Sequence, residues 1–283
     1  MIEDYLAELR SELAAVGIRG RLSARILAES EDHLRSDPEG VERFGAPNEV
    51  ANSFAAELGA RASRRAAVAA FAALGVAGAV YAVSFIGASF AHLPPSDMWP
   101  RLALLAFPAI IVAPQVAFVS GSLALLRSLR RRDRVLPSAE LRVMHRRTGL
   151  ALLAGLATMT ALALFAFELR NETAGWWAAF TLAGSVAAAS LLLVAAVPTT
   201  GAARLHPRVA GEAGDVFDDL GLAGYRDDPW RFARRVAFAV GLAVWIAGIV
   251  QGDPLDGAIR GLAEALACLA GFAAFGRFLG LRR

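Results

Sequence analysis

The sequence contains no lysine, so every one of its 29 basic residues is Arg. Ala, Gly, Val and Leu are used heavily alongside, a pattern that points to a GC-rich bacterial coding bias. The Arg excess is therefore weak evidence for nucleic-acid binding, and no direct contact with nucleic acid is expected. Cys268 is the only cysteine. It sits in an apolar run, which excludes a disulfide framework or a Cys-based metal site within one chain and leaves the role of a small buried hydrophobe. A cleavable leader is not expected, because Glu3, Asp4, Glu8, Arg10 and Glu12 break up the opening residues where its apolar core would stand.

Motifs that carry chemistry are also missing. There is no P-loop, dinucleotide glycine fingerprint, HExxH, GxSxG or pair of intramembrane aspartates. Catalysis has no visible residues to carry it, so the expectation is a protein that is not an enzyme and holds no cofactor or metal. His33 stands beside Glu31 and Asp32, but adjacent residues point in different directions on a helix and no second His is near in sequence. Helix packing or capping is its default role.

What the chain has in abundance is apolar residues, 56% of 283, with a mean hydropathy of +0.48. This share exceeds that of ordinary soluble chains and makes a bilayer the first hypothesis. The fold class read from the pattern is all-α: a small cytoplasmic helical bundle, residues 1–62, followed by a six-helix membrane domain, residues 63–283. In the bundle, Tyr5, Leu6, Leu9, Leu13 and Val16 recur at the spacing of one helical face. A second face is formed by Leu22, Ile26, Leu27, His33 and Leu34, and Val41 with Phe44 suggests a short third helix stopped by Gly45. Pro47 opens a fourth, with Val50, Ala51, Phe54 and Leu58 inward and Gly59 as its C-terminal stop. Up to Ala60 there are twelve acidic residues against six Arg, a net charge of −6.

Beyond Arg61, Arg64 and Arg65 come runs long enough to cross ~30 Å of hydrocarbon, which takes about twenty residues. Spans are expected at about 66–90, 102–126, 149–168, 174–197, 236–251 and 255–278. Arg127, Arg130, Arg131, Arg132, Arg134, Arg142, Arg146 and Arg147 crowd the connection between the second and third. Arg204, Arg208, Arg226, Arg231, Arg234 and Arg235 lie between the fourth and fifth, whereas the intervening loops are short and poor in Arg. The positive-inside rule then places both termini in the cytoplasm of a bacterial inner membrane, with Trp99, Trp176 and Trp177 at the outer interface and Trp230 at the inner one. Arg doublets at 64–65, 146–147 and 234–235 precede each outgoing helix. They are either interface anchors or the mark of three hairpins on a common plan.

The N-terminal segment resembles the HAAS domain, a small helical signalling domain of bacterial membrane proteins whose genes commonly neighbour PadR-type transcriptional regulators. The matching features are Tyr5-Leu6-Ala7-Glu8-Leu9, then Ile26-Leu27-Ala28-Glu29 leading to Asp32-His33-Leu34. They continue with Phe44-Gly45-Ala46-Pro47 followed by Glu49-Val50-Ala51 and Phe54. The likeness covers about the first sixty residues. It implies an interaction or signalling module attached to a membrane domain, with a PadR-like regulator as the cytoplasmic protein partner. Similar helical prefixes occur before some ABC-type permeases, so a permease or accessory transporter subunit is the alternative.

Several constellations are candidates within this frame. Arg260 and Glu264 are four apart on one helical face inside the last span, where they can pair; an unpaired charge at the bilayer centre costs ~2.5 to 3.5 kcal/mol or more. Asp228-Pro229-Trp230 reads as an N-cap, a first-turn proline and an interfacial ring. Val216, Phe217 and Leu220 read as a short amphipathic segment on the membrane or against a partner. Pro108 and Pro114 are expected to kink the second span. Gly75 with Ala79, Gly241 with Gly248, and Gly261 with Ala265 are spaced for close helix contact, which leaves homo-oligomerisation open.

The acidic prefix and the Arg-rich 127–147 connection, net +6 with Asp133 and Glu140 counted, fall on the same side of the membrane. Docking of one on the other, with a partner competing for the contact, is expected to involve Glu29, Glu31 and Asp32 with Arg130, Arg131 and Arg132; the alternative is that the connection binds anionic membrane lipid and fixes topology without any protein contact. The topology itself is directly testable. Reporter fusions after Arg134 and Arg226 should report cytoplasm and one after Ser96 the outside; either Arg-rich connection found outside overturns the arrangement.

Overall fold

The structure, a computed structural model, describes residues 2–36, 44–131, 136–209, 211, 213–214, 216–225, 227–250 and 252–279. Among these residues all regular structure is helical. The chain divides into two compact units, Met1–Ala213 and Gly214–Arg283.

The first unit opens with α1 (Ile2–Ala15) and α2 (Arg21–Ser36). Tyr5, Leu9 and Leu13 fall one turn apart and are buried, and they meet Ile26, Leu27 and Leu34 of α2. The turn between the helices needs glycine: Gly17 has φ +91° and Gly20 φ +67°, backbone that other residues rarely adopt. Gly45, at φ +88°, plays the same part before Pro47. The Tyr5 hydroxyl donates to the Gly45 carbonyl at 2.9 Å, and the Phe44 ring packs on both Tyr5 and His33. Val41, assigned to a short third helix, lies outside the described residues.

Pro47 starts the dominant element, α3 (Pro47–Ala88), with Pro in the first turn. At ~1.5 Å per residue its 42 residues run ~63 Å, twice the hydrocarbon thickness. The expected stop at Gly59 is therefore a correction. Ala60, Ala62, Ala66 and Ala67 favour continuation, and Gly59 serves packing: a Cβ there would stand 3.4 Å from Leu141 Cδ1. The expected inward face holds: Ala51 is fully buried, Val50, Phe54 and Leu58 pack against the same core, and Ala55 joins them.

Three more membrane-length helices complete this unit: α4 (Arg101–Arg130), α5 (Ser138–Glu168) and α6 (Gly175–Ala203). Each covers its expected span to within a residue and runs further at the Arg-rich end, α5 by about three turns. Helix α5 is the central one, with 56% of its apolar stretch buried. It packs on α4 and α6, while α3 packs chiefly on α6. Small residues permit the approach. Leu74 of α3 inserts between Gly121 of α4 and Gly155 of α5, where an added Cβ would come within 2.8 Å of it. Val80 fills the notch at Gly184, and Gly87 faces the Trp177 ring. Trp177 is 1% exposed, its indole N–H donating to the Ser84 carbonyl at 2.8 Å. It is thus a core residue among Phe165 and α3 and not the interfacial ring expected, whereas Trp176 is 56% exposed.

The second unit holds α7 (Val216–Leu220), a 3-10 turn (Ala223–Tyr225), α8 (Pro229–Val250) and α9 (Pro254–Leu279). Phe217 is buried against Tyr225 and Phe232, so this ring is internal rather than laid on the membrane. Asp228 caps α8 as expected, its Oδ1 accepting the Arg231 N–H at 2.9 Å. Helices α8 and α9 touch backbone to backbone. A Cβ at Gly248 would lie 2.4 Å from Gly257 Cα, and one at Gly261 2.4 Å from the Gly241 carbonyl. Gly75 behaves differently, with nothing within 4 Å, so it is not a packing glycine.

Among the described residues both units carry helices long and apolar enough to cross a membrane, six in all, and the chain is a multi-pass membrane protein. Gly248→Leu should prise the α8–α9 hairpin apart and lower the thermal midpoint in detergent, at a cost of ~1–3 kcal/mol or more. Gly271→Leu, at a position with open space, is the control; equal midpoints for the two variants would refute glycine-mediated packing.

Candidate functional site at the Arg-rich junction

The polar residues of the first unit converge where α1, α3, α4, α5 and the segment after α6 meet. The contact begins at the end of α1. The His206 N–H donates to the Val16 carbonyl at 3.0 Å, and a Cβ on Gly17 would lie 2.1 Å from the Arg204 carbonyl oxygen. Leu205 packs into the α1–α2–α3 core. Two residues along, the Arg208 N–H donates to Asn52 Oδ1 at 3.0 Å, and the Arg208 guanidinium stands 3.4 Å from Glu12. The same segment ends on α5, where the Ser138 N–H donates to the Val209 carbonyl at 3.2 Å.

Further along α3 the contacts become buried and charged. The Ser63 hydroxyl donates to the Gly59 carbonyl at 2.7 Å and stands 2.8 Å from His145 Nε2. His145 precedes the apolar stretch of α5. Burial, with a smaller contribution from the nearby His206, pushes its pKa below the ordinary imidazole value. Arg64 donates to the Arg131 carbonyl at 2.7 Å, and Arg131 forms an ion pair with Glu140 in the first turn of α5. Arg127 and Arg147 are fully buried beside this pair of helix ends, each with a partner. Burying a charge costs several kcal/mol unless it is paired, so this end of the bundle admits few rearrangements.

Glu29 and Glu31 pair along their own helix, with Arg25 at 2.9 Å and Arg35 at 2.6 Å, and Asp32 is exposed on α2. None of the three is placed on Arg130 or Arg131; Arg130 is exposed at the end of α4, and Arg132 lies outside the described residues. Residues 204–208 meet the prefix through main-chain and apolar contacts and through Arg208, which reaches Asn52 and Glu12. Sequence reading missed these, because nothing in Arg-Leu-His-Pro-Arg carries a periodicity. Gly17 was the available signal, a glycine needed for backbone approach as well as for its turn. In the second unit Arg260 pairs with Asp256 at 2.6 Å, four residues toward the helix start, rather than with Glu264, which is exposed. The Asp256 choice follows from position, since Asp in the first turn of α9 is also favoured by the helix dipole. Among the described residues no three His, Cys, Asp or Glu side chains are grouped so as to hold a metal ion.

What the junction can do is mechanical: it ties the prefix and the ends of four membrane helices into one body. Glu140→Ala should cost ~1–3 kcal/mol of unfolding free energy, since it strips the half-buried Arg131 guanidinium of its buried partner. Glu57→Ala breaks an exposed pair with Arg61 and should cost under ~1 kcal/mol. Denaturation of both variants in the same micelles checks this, and equal losses would contradict a buried charge network.

Comparison with family models, with curated proteins and with solved structures finds no match.

Proposed function

We propose that the chain is a membrane-bound regulatory protein of the bacterial inner membrane, with both termini cytoplasmic. Its helical prefix engages a cytoplasmic protein, a PadR-like regulator being the partner that the HAAS resemblance favours. The observation that supports this is the sharing of α3. One uninterrupted helix supplies Ala51 and Ala55 to the prefix core and Ala70, Ala73 and Ala77 to the membrane core. A module that only needed tethering would be served by a flexible linker; a shared helix lets an event at either end be felt at the other.

Crosslinking in the native host followed by mass spectrometry tests the reading. A soluble DNA-binding protein should be captured through residues 1–60 of the full chain. Gly17→Val, which collides with the Arg204 backbone, should keep membrane insertion and change the capture yield. Capture of an ATPase subunit in its place would replace this reading with that of a transporter accessory subunit.

A further inference from the structure

Between α3, α4 and α5 lies a cavity of about 280 Å³. It sits on the stretch of α3 from Phe71 to Tyr81, well inside the apolar part of the helix. Gly75 and Gly78 lie on its rim, nearly one turn apart and both exposed, with open space where a side chain would stand. Phe118 of α4, 66% exposed, flanks the mouth, and Met159 of α5, 1% exposed, lies at the back. The cavity thus opens on the lipid-facing surface and reaches the interior.

We infer that this cavity is a binding site for an acyl chain of a membrane phospholipid. Its lining has two polar side chains. The Thr158 hydroxyl is spent on the Ala154 carbonyl at 2.9 Å, which leaves only the Tyr81 hydroxyl to attract a polar atom. Apolar cavities of roughly 150 Å³ stay dry and take up hydrocarbon, so water is a poor occupant here. A void would forfeit the dispersion contacts of every atom around it. The bilayer presents acyl chains at the mouth continuously, and a flexible chain can thread past two glycines where a bulkier rigid molecule meets Phe118. The assignment needs only that the chain spans a bilayer. Joined to the regulatory reading, it supplies that reading with a lipid signal.

The experiment uses the full-length protein in nanodiscs of phosphatidylglycerol and phosphatidylcholine, a fraction of the lipid bearing a photoreactive diazirine midway along one chain. After irradiation, adducts are mapped by mass spectrometry. Lipid confined to the outer surface reaches Phe238 but not the buried Met159, so an adduct on Met159 reports entry. Gly75→Leu and Gly78→Leu, where the Cβ has open space and the rest of the side chain fills the mouth, should each lower the Met159 adduct several-fold with the Phe238 adduct unchanged. Gly149→Leu, at an equally open position away from the cavity, should have no effect. Phe118→Ala should raise the Met159 adduct and keeps the test decisive should a leucine variant fold poorly. Labelling of Met159 that is absent in the wild type, or that persists unchanged in folded Gly78→Leu and in Phe118→Ala, overturns the assignment.

Discussion

The unbroken backbone ladder of α3 is the constraint on which the first unit depends. Within hydrocarbon, every peptide group must find its partner inside its own segment, so the membrane half of α3 has no alternative to helix. The half outside the bilayer has alternatives in water, yet it continues without a break through Gly59. What holds it there is contact on every side: α1 along one face, Leu141 at Gly59, His145 at Ser63 and Arg131 at Arg64. Remove those and an isolated helical extension of this length loses most of its reason to persist, because propensity alone is marginal.

Packing inside the membrane follows a different logic from packing in the prefix. In the prefix, Leu9, Leu13, Ile26 and Leu34 leave water, and that transfer is the driving force. Between membrane helices lipid is as apolar as leucine, so close approach and a few interhelical hydrogen bonds must do the work. The α3–α6 seam has both: Val80 in the Gly184 notch, and Ser84 accepting from Trp177 and Thr181. The α8–α9 hairpin takes the glycine route furthest, with Gly248 against Gly257 and Gly241 against Gly261.

Much of this was legible in the chain. The six spans, the amphipathic faces of α1 and α2, the Pro47 start and the Asp228 cap each rest on a local signal, and local signals survive folding. Helix ends at the Arg-rich side were harder, because Arg is a good helix former as well as an interface anchor, and composition changes at Gly149 although the helix begins at Ser138. Gly59 was misread for the reason that a glycine looks the same whether it stops a helix or admits Leu141. The candidate site was largely illegible. Its contacts join residues as far apart as Val16 and His206, and the charges that seemed available for docking, Glu29 and Glu31, are taken by arginines four positions away on the same helix. Charge counting over sixty residues cannot see pairing at that range.

A helix that carries both the prefix contacts and the rim of a lipid-facing cavity couples them only under a stated condition. Arg64 and Gly75 are eleven residues apart, ~16 Å along the axis, and the intervening turns are covered by Leu74 wedged between Gly121 and Gly155. Such a wedge has a small number of arrangements, since packed interiors deform in steps rather than continuously. An acyl chain beside Leu74 influences the junction to the extent that it binds one arrangement of α3 more tightly than another. A tenfold preference is worth ~1.4 kcal/mol and shifts the equilibrium by that amount, whereas tight binding without preference shifts nothing. The charged junction bears on the same balance from the other end. Because Arg127, Arg147 and Glu140 are costly to unpair, an alternative arrangement must keep them paired, which favours a rigid tilt of α3 against α4 and α5 over any local unwinding near Arg64.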